Sequence, residues 1–318
     1  QLSGVQPVML QRLRRLAALQ LERRETGQDR FELLATDLDK TRGFLRLPQP
    51  DPGDLFFDME GDPLEEGGLE YLFGVYYFEN DEPQFQPFWA HSRQQERGAF
   101  QDFMAFVMER LERYPNLHIY HYAPYEETAL KRLMSLHGTC EAEVDHLLRS
   151  NKLVDLYKVV RESLLTSEPR YSIKNLETFY MEKRTGDVTN AGASIVVYEQ
   201  WKETQEPELL QQIHDYNEDD CRSTYLLRDW LLRIRPADLP WFNTAKEESS
   251  ETEKSDRVRE AEARLADYEK KLLGTLSENR ADWDGDARMR ELVCQLLDFH
   301  RRAAKPAWWA MFARQDMT

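Results

Sequence analysis

Two acids stand two residues apart in Asp54-Leu-Phe-Phe-Asp-Met-Glu-Gly-Asp62. The apolar triplet Leu55–Phe57 reads as a short buried strand, and side chains two apart on a strand share a face. Asp58 and Glu60 therefore point the same way and repel unless a cation sits between them. Mg²⁺ is the usual remedy, since it is held by one or two carboxylates plus substrate phosphates. The same residues also suit an acidic turn punctuated by Gly61 and Pro63. A second concentration of acid is His214-Asp215-Tyr216-Asn217-Glu218-Asp219-Asp220-Cys221. Tyr216 and Asp220 are four apart and share one helix face. Acids this crowded destabilise a helix, which marks either a functional site or a solvated acidic face. A third is His121-Tyr122-Ala123-Pro124-Tyr125-Glu126, where Glu126 falls in the first turn of a helix. An anion is favourable there, either as a ligand or, together with Glu127, simply as a complement to the helix dipole.

Alternation and periodicity place these residues on elements. Asp54–Glu60, the aromatic and β-branched Leu69–Phe78, and Gln84–Ala90 read as strands, the last two joined by the turn Glu79–Pro83. A helix over Arg93–Arg113, a strand over Leu117–His121 and a helix from Pro124 to His137 follow. Asp155–Leu165 reads as a helix, and Ser172 caps another at Ile173–Phe179. Glu208–Ile234 is the longest periodic stretch, stopped by Pro236 and Pro240. On the N-terminal side, Val5–Glu25 forms a basic amphipathic helix that packs its leucines or touches nucleic acid. Residues 43–54 read as a stiff Pro/Gly linker. Residues 244–257 read as a charged, solvated linker, and Val258–Leu276 with Ala287–Arg302 as a helical pair.

Composition narrows the class. The chain has 318 residues and a net charge of -16, distributed as +3 over residues 1–50, -17 over 51–244 and -2 over 245–318. So acidic a chain is ill suited to wrapping duplex DNA through many phosphate contacts. An acid-rich metal site served by a few basic residues remains open. Cys140, Cys221 and Cys294 are widely spaced, against a zinc ribbon or disulfide framework and in favour of a reducing compartment. No apolar run approaches the roughly eighteen residues of a membrane span, and no signal segment opens the chain, so a cytoplasmic location without membrane partners is expected. The first residue is Gln1, which suggests a piece of something longer.

Three antiparallel strands, then helix, strand, helix, is the order of a ribonuclease H-like α/β domain. Asp58 and Glu60, an acid after the fourth strand and a Tyr-x-x-x-Asp helix together resemble the DEDD superfamily of 3′–5′ exonucleases, in its tyrosine branch. Leu55-Phe56-Phe57-Asp58-Met59-Glu60-Gly61-Asp62-Pro63 and Tyr216-Asn217-Glu218-Asp219-Asp220-Cys221-Arg222-Ser223-Thr224 resemble the YprB-type domain of bacterial RecB-like nuclease–helicase fusions. Phe299-His300-Arg301-Arg302-Ala303-Ala304-Lys305-Pro306-Ala307-Trp308-Trp309 resembles the connector before the superfamily 1 helicase in those proteins.

The resemblance implies an α/β fold with a mixed sheet, three antiparallel strands then parallel additions, flanked by helices. Around it lie an N-terminal helix and linker over 1–50 and a charged linker with a helical region over 241–318, leaving 51–240 as the exonuclease domain. Asp58, Glu60 and Asp220 match three metal-binding acids, and Tyr216 matches the residue that orients the attacking water. The fourth ligand departs from pattern: the usual Asn-x-x-x-aromatic-Asp is here His121, Tyr125 and Glu126. His214 and Asp219, five apart, fit the histidine branch instead. Asp155 matches an outer acidic position, and Tyr171-Ser172-Ile173-Lys174 resembles the helix start beside the substrate groove, where Lys174 could meet a phosphate. Tyr122 and Tyr125 are candidate stacking platforms for splayed bases. The implied activity is 3′–5′ hydrolysis of single-stranded nucleic acid, DNA in preference, with two Mg²⁺ or Mn²⁺ ions. The implied partners are the nuclease and helicase regions of a longer chain. The rival expectation is a degenerate module that positions nucleic acid or a partner for a helicase.

Overall fold

The computed structural model describes residues 6–182, 191–242, 264, 267–268, 270–276 and 283–297. Contacts divide the chain into two units, Gln1–Thr244 and Ala245–Thr318.

The first unit is built on a five-stranded sheet of β2 (Leu55–Asp62), β3 (Leu69–Glu79), β4 (Glu82–Trp89), β5 (Ile119–His121) and β6 (Leu153–Asp155), in the order β4-β3-β2-β5-β6. β2, β3 and β4 are antiparallel, and β5 and β6 add parallel to β2. The hairpin between β3 and β4 turns on Asn80 and Asp81, both left-handed at φ 52° and 66°. A two-residue turn with positive φ matches the twist of its strands, and short polar side chains tolerate that backbone best.

Period-2 alternation on β2 sends Phe57 to one side, where it stacks on Phe103 at 4.5 Å between ring centres. Phe103 belongs to α2 (Arg93–Arg113), whose N-cap Ser92 accepts a hydrogen bond from the Gln95 amide. Phe56 goes to the other side and meets Tyr225 edge-on at 5.1 Å. Tyr225 lies on α8 (Pro207–Ile234), the long helix that crosses this face. With α5 (Leu156–Ser163), α8 closes a core around Phe56, Tyr120, Val154, Val160, Leu227 and Leu231. Helices on both faces leave the central strands buried on both sides.

Two sequence expectations needed correction. Residues 43–54 are more than a stiff linker and form part of the core: Gly43–Arg46 is a 3₁₀ turn, Phe44, Leu45 and Leu47 are buried, and the buried Arg110 donates to the carbonyls of Gly53 (2.8 Å) and Pro52 (3.4 Å). Asp155–Leu165 is no single helix. Asp155 ends β6 and caps α5 by accepting from the Tyr157 amide, and β7 (Leu164–Thr166) then pairs with β1 (Phe31–Leu33). Two further helices, α4 (Glu141–Arg149) and α7 (Ala191–Thr204), were not foreseen. The remaining helices are α1 (Pro7–Thr26), α3 (Tyr125–His137) and the single turn α6 (Ile173–Leu176), close to expectation.

In the second unit, 270–273 is helical, and α9 (Gly285–Leu296) is capped by Asp284, which accepts from the Ala287 amide at 2.8 Å. Residues 244–257 and the connector-like 299–309 lie outside the described residues. No helix among the described residues is long and apolar enough to cross a membrane.

Candidate metal centre

Asp58 and Glu60 leave β2 on the face that α8 covers, the face of Phe56. In register, Asp58 stands opposite Gly74 of β3. α8 turns Tyr216, Asn217, Asp220 and Cys221 inward, all buried. One carboxylate oxygen each from Asp58, Glu60 and Asp220 lies within 4.8 Å of the others. Asn217 Nδ2 donates to Asp58 Oδ2 at 2.8 Å, and the same amide favours the ionised form of Glu60. Gly74 makes this possible, since a Cβ there would come within 1.7 Å of Asn217 Oδ1. Cys221 Sγ, one helical turn on, donates to the Gly74 carbonyl at 3.2 Å.

Two more elements reach the cluster. α6, capped by Ser172, carries Lys174, whose ammonium contacts Asp220 Oδ1 and stands 4.4 Å from the centre of the Tyr216 ring. From α7, the fully buried Ser194 meets the Tyr71 hydroxyl at 2.7 Å and favours the ionised form of Glu60. Tyr71 is held by stacking on Tyr198 at 3.8 Å.

Burial first, then the charges of Asp220, Glu60 and Glu126, lifts the Asp58 carboxyl well above its ordinary range. Burial and Asp220 push Glu60 up to about 8. Asp58 and Glu60 resist ionising together without added positive charge. Hard oxygen donors so close, and so reluctant to ionise alone, fit a divalent cation. Burial and the acids, Asp220 first, also raise the Tyr216 phenol, so it remains protonated.

Glu126 is buried in the first turn of α3, and its charge is felt at Asp58, but it stands outside the group of three. Its Oε2 lies 3.4 Å from His121 Nδ1 and has no hydrogen-bond partner. Burial pulls the His121 pKa down, but Glu126 more than offsets this and raises it. His121 Nδ1 also lies 2.8 Å from the Ala123 carbonyl, and Asp155 Oδ1 accepts from the Ala123 amide at 3.0 Å. Asp155 thus ties the loop before α3 to α5.

The other candidates fall elsewhere. His214 gathers with Asp215 and Glu218 on a more exposed side of α8 and meets Phe85 edge-on at 5.0 Å. Asp219 belongs to neither acidic group. Tyr122 is packed against the core, with its hydroxyl on the Tyr171 carbonyl. Tyr125 is exposed, its hydroxyl donating to Glu70 Oε2 at 2.9 Å. Sequence reasoning missed Asn217, Ser194 and Gly74. A glycine inside an aromatic strand is a signal of close approach, whereas nothing local marked Ser194.

Residues 55–232 match the model of the RNase H superfamily, more than half of the chain. No curated protein and no solved structure matches the chain. The domain is nuclease-type in fold, and its three-acid group could hold a metal ion. With its mixed five-stranded sheet between helices and that family match, the chain belongs to the RNase H superfamily.

Proposed function

We propose that the chain is a metal-dependent 3′–5′ exonuclease of the DEDD tyrosine branch, hydrolysing single-stranded nucleic acid, DNA in preference. The observation that carries this reading is the convergence of Asp58, Glu60 and Asp220 beside the Tyr216 hydroxyl. These three acids would hold Mg²⁺ or Mn²⁺. A bound divalent ion supplies positive charge opposite the phosphate oxygens and makes water a better nucleophile. Tyr216, held protonated beside Asp220, keeps oxygen lone pairs to accept a hydrogen bond from the attacking water. Asn217 and Ser194 fix the carboxylates of Asp58 and Glu60, so less reorganisation is left for the moment of reaction. The exposed ring of Tyr125 offers a stacking surface for a terminal base.

The YprB-type motifs support placing this domain in a longer nuclease–helicase chain. A second reading, a degenerate module that positions nucleic acid for a helicase, is favoured by Glu126 standing with His121 rather than with the other acids. Incubation with 5′-labelled single-stranded DNA and RNA, with Mg²⁺ or Mn²⁺, separates the two. The exonuclease reading expects a ladder that shortens from the 3′ end. Intact substrate under every condition, with nucleic acid still bound, would leave the degenerate module.

A further inference from the structure

We propose that this centre takes a single divalent ion, with the Lys174 ammonium filling the place of a second cation beside Asp220. The resemblance implies two ions, but the side chains describe one seat. Opposite ligands of an ion with bonds of about 2.1 Å lie roughly 4 Å apart. One oxygen from each of Asp58, Glu60 and Asp220 already lies within 4.8 Å of the others, so the three close around one point. A second ion would need ligands of its own. Glu126, the acid left to supply one, is not among the three, although its charge reaches Asp58, and its Oε2 stands 3.4 Å from His121 Nδ1. Asp220 Oδ1 already carries the Lys174 ammonium, which brings positive charge to the group without a second ion.

Lys174 is held in place from both ends. Its turn starts at the Ser172 cap, Ser172 Oγ bonds Asn175 Oδ1 at 2.6 Å, and Asn175 Nδ2 donates to the buried Glu168 at 2.6 Å. At the far end the ammonium lies over the Tyr216 ring, a favourable place for a partly desolvated cation. One divalent ion and one ammonium together balance three carboxylates. A tethered ammonium needs no recruitment from solution, and it faces phosphate as a point charge with three donors.

The inference shares its acids with the exonuclease reading but can fail separately from it. Mn²⁺ is titrated into the full chain by calorimetry, with electron paramagnetic resonance on the same samples. Only ions lost in Asp58→Asn are counted, which removes any held by His214, Asp215 and Glu218. The wild type should bind one ion and Lys174→Met two, with Mn–Mn dipolar coupling appearing only in the variant. Lys174→Arg, which keeps the charge, should stay at one. Two coupled ions in the wild type, no ion at all, or no gain in Lys174→Met would each overturn the inference. Cleavage assayed in parallel separates the readings: cleavage by a wild type holding two ions sinks this inference alone. One ion without cleavage sinks only the exonuclease reading.

Discussion

The Asn217 amide donates to Asp58 on one side, and on the other its Oδ1 lies where a side chain on Gly74 would begin. The arrangement couples a strand glycine to the carboxylates of the centre. An alanine at Gly74 must push Asn217 aside, at a cost on the order of 1–3 kcal/mol. Asn217→Ala alone should also destabilise, but in the Gly74→Ala background it should restore stability by making room. Urea denaturation of the four chains gives the coupling directly. Strictly additive effects would show that the two residues do not press on each other.

Ser194, on α7 and paired with the Tyr71 hydroxyl, favours the ionised form of Glu60 without joining the acid group. Outer groups of this kind typically contribute 10–100-fold to metal affinity. Ser194→Ala should weaken Mn²⁺ binding by a factor in that range while costing only about 1 kcal/mol of stability. Calorimetric titration paired with thermal unfolding checks both. An unchanged affinity would make Ser194 merely a packing residue.

Asp220 meets Asp58 and Glu60, whereas Asp219 and His214 do not. Asp220→Ala should abolish cleavage, and Asp219→Ala and His214→Ala should leave most of it. The rate on a 5′-labelled strand, measured for all three variants, decides. Loss in Asp219→Ala with activity retained in Asp220→Ala would move the assignment to the histidine branch.

His118 is buried, and neither ring nitrogen has a partner. Burial, then the positive charge of Lys152, holds its pKa down to about 3 against an ordinary 6.5. The folded protein keeps the ring neutral while the unfolded chain protonates it. Its contribution to stability is therefore complete above 6.5 and is lost as the pH falls toward 3, by about 1.4 kcal/mol per pH unit at the steepest. Between pH 7.5 and 5, wild type should lose about 2 kcal/mol more than His118→Leu. Asp54, pushed up to about 6 by burial, works in the opposite sense but is common to both chains. Parallel pH–stability curves would refute the neutral histidine.

Local periodicity was enough for much of this protein. Alternation on β2 put Asp58 and Glu60 on one face, helical spacing put Tyr216 with Asp220, and both hold because strand and helix geometry depend only on neighbours along the chain. Boundaries marked by caps and prolines, such as Ser172 and Pro236, were legible for the same reason. The short elements around Asp155 were not, because β6 and β7 exist only through partners far away in sequence, and a three-residue strand has no periodicity to read. Which side chains meet at the centre was decided by the sheet register and by the path of α8 across it. Register alone set Gly74 opposite Asp58, and the packing of separate helices brought Asn217 and Ser194 onto the acids and Lys174 onto Asp220. The same packing left Glu126 beside His121. Such meetings depend on how elements dock in three dimensions, which no spacing along the chain encodes.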